Sequence, residues 1–128
     1  MDIRINRGLL PTWPDVHDLL NQFGSRLPAA IKREQGLLPF TIDGVQGVER
    51  AAGVYIVFTE GKRLTYIGMS ERNMRGRLLS HLSVNAQRSR FWIKNPGSTC
   101  VALYVSEPWI APALEAYLTY RVREYTAA

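Results

Sequence analysis

Residues 53 to 67 constrain this chain most, because they hold two short runs that suit a β-hairpin and little else. Val54-Tyr55-Ile56-Val57-Phe58 and Leu64-Thr65-Tyr66-Ile67 are β-branched and aromatic, which favours a pleated, half-buried surface. Only Thr59-Glu60-Gly61-Lys62-Arg63 separates them, and a connection that short joins antiparallel neighbours. With Glu60-Gly61 as a two-residue loop, Tyr55 lies directly opposite Tyr66. Both phenols then project from one face, with Cβ atoms about 4.5–5.5 Å apart. A three- or five-residue loop shifts that register.

The pattern after the hairpin alternates. A helix is expected from about Arg72 to Val84, with Arg77 and His81 four residues apart on one face and Leu78 and Leu82 anchoring the neighbouring stripe. Gly76 inside it costs about 1 kcal/mol relative to alanine. Residues 85 to 98 are polar and basic, with Phe91 and Trp92 inserted. Thr99 to Ser106 reads as a third strand. A last helix follows Pro108, with Pro112 near its start. Leu114, Leu118, Val122 and Tyr125 form its buried stripe, and Glu115 stands on the border of that stripe.

A composition shift falls near residue 50, dividing an N-terminal extension (1–50) from a core (51–128). Upstream, Val16, Leu19, Leu20 and Phe23 recur at helical spacing after Thr12, a suitable N-cap, with Pro14 and Asp15 suited to the first turn. A second short helix is expected from Pro28 to Gln35. Gly36 to Ala52 reads as loop with one short strand at most. The extension serves either as a cover for one sheet face or as an arm on DNA. The fold class that follows is α+β, a small three-stranded antiparallel sheet flanked by helices.

At 128 residues the chain suits one domain with a real core. The first residues do not read as a secretory leader, and no apolar run approaches the ~20 residues that span a bilayer. Cys100 is the only cysteine, so no internal disulfide forms, and a small buried residue is its expected role. The expected setting is the reducing cytoplasm.

The formal charge of +5 is unevenly spread. Lys62, Arg63, Arg72, Arg75, Arg77, Arg88, Arg90 and Lys94 face only Glu71 within residues 62–94. That stretch suits a polyanion or a solvated basic surface, and it also carries Tyr66 and His81. Hydrolysing a phosphodiester needs an activated water, compensation for charge on the phosphate oxygens, and help for the leaving oxygen. A carboxylate can hold one Mg²⁺ with much of its water shell. An arginine fork pairs with phosphate oxygens, and a tyrosine or histidine handles protons.

Gly53-Val54-Tyr55, ten residues, Tyr66-Ile67-Gly68, then Arg77 four ahead of His81, then Leu114-Glu115-Ala116, resembles the GIY-YIG nuclease family over roughly residues 53 to 125. The second motif reads YIG literally, and the first differs by valine for isoleucine. The resemblance implies a divalent-metal-dependent endonuclease acting on DNA, with RNA left open as a substrate and one strand cut at a time. It implies that Glu115 holds a single Mg²⁺ or Mn²⁺ and that Arg77 stabilises charge on the scissile phosphate. Tyr55 and Tyr66 would position the attacking water, one of them or His81 serving as base. The basic residues other than Arg77 would track the backbone. The family often has an asparagine beyond the glutamate, and none follows Asn95 here. A non-catalytic nucleic-acid-binding module with the same fold is therefore the second reading. Cutting two strands would require a homodimer, a larger assembly or two binding events. No specificity domain is recognisable.

Overall fold

The computed structural model describes residues 11–27, 29–59, 63–83 and 97–127. Its elements are α1 (Trp13–Arg26), β1 (Ile31–Pro39), α2 (Ile42–Val45), β2 (Gly53–Thr59), β3 (Arg63–Ser70), α3 (Met74–Leu82), β4 (Thr99–Val105) and α4 (Ile110–Ala127). The strands form one antiparallel sheet in the order β1-β4-β2-β3.

The expectation of three strands is corrected to four. The extra strand, β1, lies where the sequence suggested a helix (Pro28 to Gln35) and then a loop. Lys32, Arg33, Glu34 and Gln35 are good helix formers, but pairing with β4 overrides that preference. The strand lacks apolar alternation because it is an edge, and most of its residues are exposed. Register shifts interrupt the pairing between Ile31 and Arg33 and between Gln35 and Leu38. An edge with such irregularities tolerates Gly36 and Pro39. Part of the N-terminal extension, Ile31–Pro39, thus belongs to the sheet and is not merely packed upon it.

Helices cover both faces. Val54, Ile56, Phe58, Val101, Leu103 and Val105 point toward α1 and α4, meeting Val16, Leu19, Leu20 and Phe23 from one helix and Leu114, Leu118 and Val122 from the other. The Tyr125 side chain, expected in the same stripe, lies outside the described residues. Tyr55, Val57, Cys100, Ala102 and Tyr104 point the other way, toward Val45 of α2 and Met74 and Leu78 of α3. Burial on both faces explains why β2 and β4 read as continuous apolar runs. α1 begins as expected: the Thr12 backbone N–H and hydroxyl both donate to the Asp15 carboxylate, at 2.8 and 2.9 Å. Arg121 on α4 donates to the Gln22 side-chain carbonyl at 2.7 Å and ties α1 to α4.

The hairpin register also differs from expectation. Tyr55 pairs with Gly68, and Tyr66 pairs with Val57. Thr59 pairs with Arg63, so the loop is longer than Glu60-Gly61, and a register shift between Val57 and Phe58 leaves Thr65 as the extra residue. The slip is two residues, and two preserves the face. Tyr55 and Tyr66 are diagonal neighbours whose rings stack, 6.2 Å apart and 16° from parallel.

Candidate active site

The motif glycines hold the tyrosines where they are. A Cβ on Gly68 would stand 2.4 Å from Tyr55 Cζ and 2.5 Å from its Cε2 and Oη. The Tyr55 ring therefore lies across the bare backbone of its paired residue. A Cβ on Gly53 would stand 2.1 Å from the Leu103 carbonyl oxygen and 2.5 Å from Met74 Cε. The first glycine thus lets α3 approach the start of β2.

α3 then delivers the next two residues. Ser70 Oγ accepts from the Arg72 and Asn73 backbone N–H groups, at 3.2 and 2.8 Å. Asn73 Oδ1 accepts from Gly76 N at 2.9 Å, an N-cap that satisfies one of the helix's open donors. A side chain at Gly76 would stand 2.6 Å from Asn73 Nδ2, so the glycine that looked costly in a helix makes room for its cap. Ser70 and Asn73, and the capping role of Gly76, escaped the sequence reading. An asparagine three residues before a glycine, just after a strand, was the available signal.

Tyr55 is the hub of what results. Its hydroxyl is 3.0 Å from His81 Nε2, and the His81 ring stands edge-on to both phenols, 5.7 Å from Tyr55 and 4.9 Å from Tyr66. Tyr55 is fully buried, whereas Tyr66 and His81 are half-buried and Arg77 is exposed. Burial pushes the Tyr55 phenol well above its ordinary range, and the neighbouring Tyr66 phenol adds to this. Arg77, by its charge and by hydrogen bonding the phenol, pulls the other way, while the Glu115 carboxylate raises it further. The fold therefore brings Tyr55, Tyr66, Arg77 and His81 together on the α3 side. Glu115, half-buried on α4, lies near enough for Tyr55 to feel its charge.

Among the described residues, no group of three or more His, Cys, Asp or Glu side chains is placed to share a metal ion. A site built on Glu115 alone fits only a hard cation that keeps most of its own water, as Mg²⁺ does. One turn beyond Glu115 on α4, the buried Thr119 hydroxyl has no hydrogen-bond partner among the described residues. An oxygen left in that condition suits an ordered water, so this donor set is compatible with a hydrated divalent ion and not with a closed zinc-type cage.

The basic residues divide. Arg72 is exposed and, with Met69, Ser70, Glu71 and Arg77, lines an open depression of about 370 Å³ beside the site. Arg63 opens β3 on the same hairpin. Arg75 donates from Nε to the Val48 carbonyl at 2.6 Å, tying α3 to the segment after α2. Lys62, Arg88, Arg90 and Lys94, expected on DNA, lie outside the described residues. Cys100 is buried and its thiol is pushed up to about 12 by that burial, which suits packing and not nucleophilic work. No helix among the described residues is long and apolar enough to cross a membrane. No known protein-family profile matches the chain, and no curated protein is similar to it.

Proposed function

We propose that the chain is a divalent-metal-dependent endonuclease of the GIY-YIG type that hydrolyses DNA phosphodiester bonds. One observation carries the reading: a buried phenol, Tyr55, 3.0 Å from His81 Nε2 and subject to the charges of Arg77 and Glu115. Phosphodiester hydrolysis requires a proton acceptor, a phosphate clamp and a carboxylate, and these are the side chains around that phenol.

The environment divides the work. Tyr55 is buried and its proton is held tightly, so it neither meets water nor acts as the resting base. It positions His81 through the 3.0 Å contact and steadies Arg77. His81, half-exposed, accepts the proton of the attacking water. Tyr66, half-exposed and stacked on Tyr55, orients that water by its hydroxyl. Arg77 pairs with the non-bridging phosphate oxygens. Glu115 would hold Mg²⁺ or Mn²⁺, which supplies charge compensation at the phosphate and the leaving oxygen.

Supercoiled plasmid incubated with Mg²⁺ or with EDTA tests this. Nicking in Mg²⁺ alone is expected, and Arg77→Ala and Glu115→Ala each abolish it while the circular dichroism spectrum is retained. Full activity of Glu115→Ala in Mg²⁺ would sink the metal assignment. Salt-sensitive DNA retention without nicking in any divalent metal would establish the non-catalytic binding module instead.

A further inference from the structure

The outward face of α4 is built unlike that of an ordinary surface helix. Trp109, in the turn that leads into α4, and Ala113, Ala116, Tyr120 and Arg123 on the helix are all exposed and recur at spacings of four, three, four and three, which sets them along one helical stripe. Trp109 is 58 % exposed and Tyr120 62 %. The stripe carries no charge until Arg123. The helix's other charged side chains on its described turns sit to the sides: Glu115 is half-buried, and half-buried Arg121 bonds Gln22 and Tyr117. A helix that is apolar on its outer side as well as its inner one has a second surface to bury.

The order of residues along the stripe selects the occupant. Running it backwards against itself about Ala116 gives layers in which Tyr120 meets the partner copy's small residue at position 113. Position 116 meets its own equivalent, two methyl groups that let the helices approach closely. At each end Arg123 meets the aromatic ring at position 109 of the other copy, a cation–π arrangement. Glu107, exposed just before the helix, adds an acid at that same end. Large faces small and cation faces ring and acid throughout. A parallel pairing loses this, since it sets Arg123 against its own copy and ring against ring. The absence of cations over most of the stripe also argues against a phosphate backbone as its ligand.

We propose that this face of α4 docks a second copy of the chain, as a twofold antiparallel helix pair centred on Ala116. The contact is isologous and closes on itself. It stands independently of the nuclease reading.

Sedimentation velocity of the full chain without DNA, compared with Ala116→Glu, tests it. The wild type is expected to sediment as a dimer in the micromolar range. In Ala116→Glu two carboxylates oppose each other on the axis, raising the dissociation constant by about thirty-fold or more, and an unchanged circular dichroism spectrum accompanies it. Ala116→Cys provides a second arm that does not depend on the first variant's folding. Under mild oxidation it is expected to form a disulfide-linked dimer faster than Ser80→Cys, an exposed position on α3, while buried Cys100 stays inert. A wild-type monomer throughout the range, a dimer undisturbed by Ala116→Glu, or Ala116→Cys linking no faster than Ser80→Cys overturns the proposal.

Discussion

Replacing Gly68 by alanine should damage the site from a distance of one β-bridge. The added methyl would stand 2.4 Å from Tyr55 Cζ and 2.5 Å from Cε2 and Oη, where non-bonded carbons prefer about 3.5–4.0 Å. The ring must therefore move by roughly 1 Å. It cannot move freely, because Tyr66 stacks on it, His81 abuts it, and β2 and β3 are paired at this bridge. Overpacking of this kind costs about 1–3 kcal/mol. For a chain of this size that lowers Tm by roughly 3–6 °C per kcal/mol. The hydroxyl sits 3.0 Å from His81 Nε2, and a shift of about 1 Å breaks that bond, with an expected loss of about 10²-fold in cleavage. Thermal unfolding and plasmid nicking measure the two effects separately. Gly36→Ala is the control, since nothing lies within 4 Å of its added methyl, and a change within about 0.5 kcal/mol is expected. Tyr55→Phe does not relieve the clash, because the ring carbons themselves collide, whereas Tyr55→Val does. Gly68→Ala and Tyr55→Val should consequently couple by about 0.5–3 kcal/mol when combined. A Gly68→Ala variant with wild-type Tm and wild-type nicking would refute the packing argument and the role of Tyr55 together.

Tyr55→Phe removes one hydrogen bond to His81 and little packing, so kcat should fall about ten-fold with KM steady, in keeping with about 0.5–1.5 kcal/mol per bond. The alkaline or acidic limb of its pH–rate profile should also move. A fall of about 10³-fold or more would make Tyr55 the base itself. Asp15→Ala should cost about 1 kcal/mol of stability through the lost helix-start contacts and leave nicking intact, which urea unfolding and the plasmid assay check side by side. The pH dependence of stability follows from two buried groups whose folded pKa values are raised. The unfolded chain ionises Cys100 near its ordinary 9.0, whereas the folded chain resists until about 12, and Tyr55 is shifted in the same direction from 10.0. The unfolded state thus binds fewer protons than the folded state above pH 9, so stability should be flat below pH 9 and decline as pH rises toward 12, by up to about 1.4 kcal/mol per pH unit for each group. Cys100→Ala should flatten the first part of that decline in urea titrations at pH 8 to 10.5.

What the sequence made legible was whatever depended on period and chemistry within one segment. α1 was readable from Val16, Leu19, Leu20 and Phe23 and from Thr12 with Asp15, and all of these residues act as that pattern implies. β2 and β4 carried enough apolar or β-branched character to be placed within a residue, β3 was placed to within three at its far end, and α4 was placed by its buried stripe. β1 was not legible, because its strand character comes from β4 and not from its own side chains. Lys32 to Gln35 spell a helix until a partner strand offers them a ladder. The hairpin register was mis-set for a similar reason: the extra residue at Thr65 is a property of the pair, stabilised in place by a 2.7 Å bond between the Thr59 and Thr65 hydroxyls. Nothing in either strand alone announces it.

The register slip turns the two tyrosines from equals into a pair with unequal exposure. Opposed directly, they would have shared one environment and competed for one role. Displaced by two residues, Tyr55 falls beneath α3 and across Gly68, while Tyr66 lies nearer the hairpin's turn. One phenol is fully buried and the other half-buried. Burial makes the inner phenol a poor acid, so its hydroxyl stays neutral over a wide pH range and can accept from His81 Nε2–H, which leaves Nδ1 as the basic nitrogen of the imidazole. The same slip frees Gly68 to be the surface on which the ring rests. The glycine of the second motif is thereby explained by the tyrosine of the first, and in the proposed reaction the work falls to His81, Tyr66, Arg77 and Glu115. Moving the register back by two would leave every side chain on its present face and still dismantle this division, since a β-carbon and not a bare backbone would then lie under the Tyr55 ring.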